Sequence, residues 1–165
     1  MTSKSDYGEA EWTQLKRAPF LAGMAISLAD PGGPIEALKE TAATLKSVLS
    51  AADGDDHGEL VQAIAGDVRA DASRRKTPMA GYKPASGATA GVEILDELRA
   101  VDRLVAGKAT ADEAEDLRVW LVAVAQEAAN AAKEGGFMGF HAVRVSEGEQ
   151  RMLEQLRQAL GSRTI

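Results

Sequence analysis

Along this chain the apolar residues return every three or four positions, and no stretch alternates strictly enough to read as a strand. The clearest stripe is Ile35, Leu38, Ala42, Leu45, Leu49 and Ala52, on one face of a helix that starts at Pro34 and ends before Asp53-Gly54. Glu36, Lys39, Glu40 and Lys46 occupy the opposite face, so the stripe is expected inside and the charges outside. Leu60, Val61, Ile64, Ala65 and Val68 predict a helix over residues 57–73, and Val92, Leu95, Leu98, Val101 and Val105 predict one over 89–107. Thr110 and Glu113 form a capping box that opens the strongest helix. Its inner side carries Leu117, Leu121, Val124, Ala128 and Ala131 or Ala132, and Gly135-Gly136 closes it. Ser146 and Glu149 make a second capping box, followed by Leu153, Leu156 and Leu160 and ended by Gly161.

The N-terminal third is less regular. Residues 1–8 are polar and expected to fray. Trp12 and Leu15 mark a helix over 9–17, and Pro19 is expected to interrupt it and start another. That second segment is apolar on nearly every side up to Ala29, as a central buried helix would be. Its Ala22, Gly23, Ala25, Ser27 and Ala29 are small enough for neighbouring backbones to come close. Asp30-Pro31-Gly32-Gly33 then stops it. Residues 74–88 hold Pro78, Gly81, Pro84 and Gly87 with no periodicity, a long irregular connection that is either mobile or functional. The expectation is an all-α fold, a single-domain bundle of six or seven helices over residues 1–165.

Composition supports this and removes several functions. Hydrophobic residues are 45% of the 165 and aromatics only 4%, while alanine alone makes up about a fifth. Alanine, leucine, glutamate and arginine favour helix, and β-branched and aromatic residues are scarce. Cysteine is absent, which excludes disulfides, iron–sulfur clusters, thiolate zinc sites and cysteine nucleophiles. Two histidines, His57 and His141, cannot build a three-histidine metal site. With a net charge of −6, and neither half basic when divided after Lys83, the chain is not a general nucleic-acid binder. The longest near-continuous apolar run, residues 18–29, rises only ~18 Å as a helix and cannot span ~30 Å of hydrocarbon. It starts late, after three carboxylates, and makes a poor signal peptide, so the chain reads as cytoplasmic.

Three segments carry candidate chemistry. In residues 52–59, Asp53, Asp55 and His57 fall at the first, third and fifth places of a calcium loop, with Gly58 sixth. The twelfth place, where a bidentate glutamate belongs, is Ile64. The segment is therefore a weak divalent-cation site or an acidic turn capping the next helix. In residues 69–83, Arg69, Arg74, Arg75, Lys76 and Lys83 stand against Asp71 alone, which suits an anion or an acidic partner. Arg74, Arg75 and Lys76 would also suit a helix C-terminus. In residues 135–141, Phe137, Met138 and Phe140 crowd one turn, as a plug for the end of the bundle or as an exposed recognition patch. No GxGxxG, Walker lysine or Glu-x-x-His pair is present.

Ala52-Asp53-Gly54, with the acids and amphipathic helix after it, resembles a segment of the TerB family, as does Val145-Ser146-Glu147-Gly148-Glu149 with Met152 and Leu153. These are small all-helical bacterial proteins linked to tellurite resistance and stress, and the matched stretches cover about a fifth of this chain. The resemblance implies that the acid-bearing segments start helices and that Asp53, Asp55, Glu147 and Glu149 are the candidate ligands of a divalent metal. The stretch EGGFMGFHAVRVS is similar to one in uncharacterised bacterial helical proteins.

The leading expectation is a non-enzymatic interaction or stress-associated protein, with the basic segment or the aromatic turn facing a protein partner. A weak divalent-metal binder is the second, with no other cofactor recognised. A small helical enzyme with a pocket around His57 or His141 is the third. A homo-oligomer is also expected, through the small faces Gly23/Ser27 or Ala125/Ala128/Ala132.

Overall fold

A computed structural model describes residues 2–29, 34–54, 56–83, 89–133 and 145–161, with the side chains of 34–38, 132 and 133 left aside. The fold is an all-α bundle. Its helices are α1 (Glu9–Ala29), α2 (Pro34–Ala51), α3 (Glu59–Ser73), α4 (Ala90–Lys108), α5 (Ala111–Lys133) and α6 (Glu147–Ala159). No strand occurs among the described residues.

Helices α1 and α5 each pack against every other helix, so they form the centre that the apolar 18–29 segment predicts. One hydrophobic cluster draws on all six. Ala18, Ala22 and Ala25 of α1 and Ala125, Ala128 and Ala129 of α5 are fully buried within it. Small side chains at these positions let the two central helices share one densely packed core. Within the chain, Ala125 and Ala128 pack in this core and Gly23 lies against α2, while Ala132 lies beyond the described side chains.

Three expectations are corrected. Helix α1 runs unbroken through Pro19. Proline lacks an N–H and crowds the carbonyl four residues back, but Leu15, Ala18, Pro19 and Leu21 are all buried, and packing on several sides holds the turn. Residues 2–7 are also not frayed. A short 3₁₀ turn, Lys4–Asp6, delivers Tyr7 into the core cluster. The Thr2 N–H and hydroxyl donate to the two carboxylate oxygens of Glu113, each at 2.7 Å. Because Glu113 also accepts the Thr110 N–H and hydroxyl, its pKa is held down to about 2, the Thr2 bonds being the largest cause. Burial, with Glu113 nearby, pushes the Tyr7 hydroxyl up to about 12.

The third correction concerns α2, whose inward face carries Glu40, Thr44, Val48 and Ala51, all buried. Glu40 is only 3% exposed, whereas Leu45 of the predicted stripe is 40% exposed. Ala42 is exposed and Leu49 half-buried. Two features fix this rotation. Gly23 of α1 lies so close to Thr44 that a methyl group at Gly23 would collide with the threonine side chain. One turn away, the Ser27 hydroxyl donates to the Glu40 carboxyl. A buried carboxyl without a donor would be costly, so this bond favours the rotation that supplies one.

Candidate functional site

The chain leaves α3 through a Schellman turn. Arg74 is the C-cap, the Arg75 N–H donates to the Ala72 carbonyl at 3.0 Å, and the Lys76 N–H donates to the Asp71 carbonyl at 2.8 Å. This turn needs a left-handed residue at its second position, normally glycine, and here it is Arg75 with φ 57°. An L-residue costs about 1–2 kcal/mol in that conformation. Strain of this kind is a pointer to function.

Residues 77–83 form ordered turns. The Ala80 N–H donates to the Thr77 carbonyl at 3.1 Å and the Tyr82 N–H to the Met79 carbonyl at 3.0 Å. Gly81, at φ 76°, takes the left-handed position of the second turn. Pro78 is buried, and Met79 and Tyr82 pack against the core. Arg17 of α1 clamps the loop from beneath. Its Nε donates to the Pro78 carbonyl at 3.2 Å, and its guanidinium sits 5.0 Å from the centre of the Tyr82 ring. Burial, then the carboxylates Glu97 and Glu93 on α4, push the Tyr82 hydroxyl upward. Residues 84–88 lie outside the described residues.

This scaffold presents Arg74, Arg75, Lys76 and Lys83 to solvent, all exposed. None of the four has an ion-pair partner among the described residues. The neighbouring charges are already matched. Arg69 forms a bidentate pair with Asp53, both bonds 2.6 Å, and also donates to the Leu49 carbonyl at 2.8 Å. Lys16 holds Asp71 at 2.5 Å. The patch is therefore the segment after α3, without Arg69.

The described metal candidates, Asp53, Glu147 and Glu149, take separate local roles. Arg69 holds the Asp53 carboxyl below its ordinary range. Glu149 caps α6: one of its oxygens accepts the Ser146 N–H at 2.8 Å, and Ser146 Oγ accepts the Glu149 N–H at 3.2 Å. Glu147 is exposed and lies 3.9 Å from Arg151. Asp55 is outside the described residues. Among the described residues no three histidine or carboxylate side chains are grouped to hold a metal ion. Ile64, at the twelfth place of the calcium-like loop, is fully buried.

Asp116 of α5 supplies the bond expected of the acidic turn. Its carboxylate accepts the Gly58 N–H at 2.7 Å, at the N-cap of α3. Its other oxygen lies 3.3 Å from His57 Nδ1, which orients the imidazole. Asp116 stands 59 residues from His57, so its role was not visible from local spacing. His141, Phe137, Met138 and Phe140 lie outside the described residues. Arg17 and Tyr82, which position the basic loop, were missed because the clamp joins segments 61 residues apart, as its bond to Pro78 shows.

No helix among the described residues is long and apolar enough to cross a membrane. The chain matches no protein-family model, no curated protein and no solved structure.

Proposed function

We propose that this protein is a non-enzymatic binding module that docks an acidic protein segment on residues 74–83. The observation that carries the reading is the set of four exposed cations without ion pairs among the described residues, held on a loop pinned to the core by Pro78, Met79, Tyr82 and Arg17. A pinned loop loses little conformational entropy on binding, and its cations attract a partner before contact. Nucleic acid fits less well. Four cations form a small patch on a chain of net charge −6, and phosphate binding favours a broad basic face.

The test is fluorescence anisotropy with a labelled deca-glutamate peptide and a single-stranded oligonucleotide of equal charge. The peptide should bind at low salt and weaken several-fold as salt rises past the ~8–10 Å screening regime. Arg74→Ala/Lys76→Ala should weaken binding by about tenfold. Arg75→Gly relieves the left-handed strain, so it should weaken peptide binding while stabilising the fold by about 0.5 kcal/mol in urea denaturation. That opposition separates lost contact from lost structure. No peptide binding at low salt, equal binding by the variants, or a preference for the oligonucleotide would overturn the proposal.

A further inference from the structure

Between α1, α2 and the loop lies a cavity of about 230 Å³, lined chiefly by Phe20, Met24, Ser27, Thr41, Thr44 and Met79. Thr44 is buried at its floor and Thr41 is exposed at its mouth. Gly23 also borders it, and the missing side chain there is part of why the space exists. An apolar cavity of about 150 Å³ can hold benzene. This one has room for a six-membered ring with a short side chain.

The walls combine an aromatic ring, two thioethers and three hydroxyls. The Ser27 hydroxyl sets the polarity. It donates its proton to the buried Glu40 carboxyl, so toward the cavity it offers lone pairs. A carboxyl thus stands one hydroxyl behind the cavity wall, in surroundings where charge is weakly screened. The Phe20 ring and the two thioethers supply polarisable apolar surface for a hydrocarbon body. The accepting Ser27 hydroxyl and the carboxyl behind it favour a positively charged hydrogen-bond donor over a neutral or anionic head.

We infer that this cavity is a binding site for a small amine with an apolar body, its ammonium group directed at Ser27 and Glu40 and its hydrocarbon against Phe20, Met24 and Met79. The inference stands apart from docking on residues 74–83, since its evidence is the cavity and the carboxyl behind it.

Calorimetric titration of the full chain with three probes of one shape tests it: phenethylammonium, 2-phenylethanol and phenylacetate. Phenethylammonium should bind about tenfold or more tightly than the alcohol, the advantage of a hydrogen bond to a charged group, and phenylacetate should bind weakest. Glu40→Gln keeps the side-chain shape and removes the carboxyl, so it should bring the ammonium down to the alcohol's affinity and leave the alcohol unchanged. Met79→Trp, on the loop and outside the helices, should fill the space and abolish binding of all three. Far-UV circular dichroism checks that each variant is folded, and Ser27→Ala replaces Glu40→Gln if that variant is not. Equal affinity for the three probes, a preference for phenylacetate, an ammonium affinity unmoved by Glu40→Gln or by the Ser27→Ala that replaces it, or no heat at millimolar ligand would each overturn the inference.

Discussion

Helices α2 and α5 carry apolar stripes of the same spacing, and the bundle treats them oppositely. In α5 the stripe Leu117, Leu121, Val124 and Ala128 faces the core, as its periodicity predicts. In α2 the stripe through Ala42, Leu45 and Leu49 turns partly to solvent, and the inward face includes a glutamate and a threonine. Surroundings explain the difference. Helix α5 packs against all the others, so nearly every rotation but one would expose leucine. Helix α2 packs chiefly on α1, α3 and α5 and keeps an open side. Alanine also lies on both of its faces, Ala42 outward and Ala51 inward, which weakens the contrast between rotations. The Gly23–Thr44 approach and the Ser27–Glu40 bond then decide the orientation.

The largest expected effect compares one substitution in the two stripes. Leu121→Ala should destabilise by about 2–5 kcal/mol in urea denaturation, the usual result of emptying a fully buried leucine site. Leu45→Ala should stay within about 0.5 kcal/mol, as at a surface position. Equal losses would mean that α2 faces inward by its leucines after all.

A smaller effect probes what sets the α2 rotation. Gly23→Ala places a methyl group against Thr44, an overpacking of about 1–3 kcal/mol. Alanine's better helix propensity offsets about 1 kcal/mol of that. The net loss should disappear or reverse in a Thr44→Ala background, and a loss that persists there would show that Thr44 is not the obstacle.

The smallest effect concerns the capped start of α5. Glu113 has a folded pKa of about 2, below its model-compound value of 4.5, so its contribution is present above the unfolded pKa and lost as pH falls through the folded one. Stability should therefore decline between about pH 4.5 and 2, and Glu113→Gln should flatten that part of the profile. An unchanged slope would remove the Thr2 and Thr110 bonds from the account.

Much of this architecture was legible in the residues. Both capping boxes, the helical stretches and the buried apolar centre follow from local spacing, which reports local geometry directly. The α2 rotation did not, because it depends on a glycine and a serine of another helix meeting Thr44 and Glu40. Arg69 and Asp53 looked like members of two separate sites until the fold paired them. The basic loop was readable as charge, but its anchoring was not, since Arg17 and Tyr82 meet only in the folded chain.

The Thr2–Glu113 clasp also bears on kinetics. It links positions 111 residues apart and so closes a loop over most of the chain, a contact whose entropy is best recovered once the helices are docked. An interaction that forms after the folding barrier acts on the unfolding rate. In Glu113→Gln the unfolding arm of a chevron should rise while the folding arm stays put. The clasp between Thr2 and Glu113 would then govern how long the folded state lasts and leave the speed of its formation unchanged.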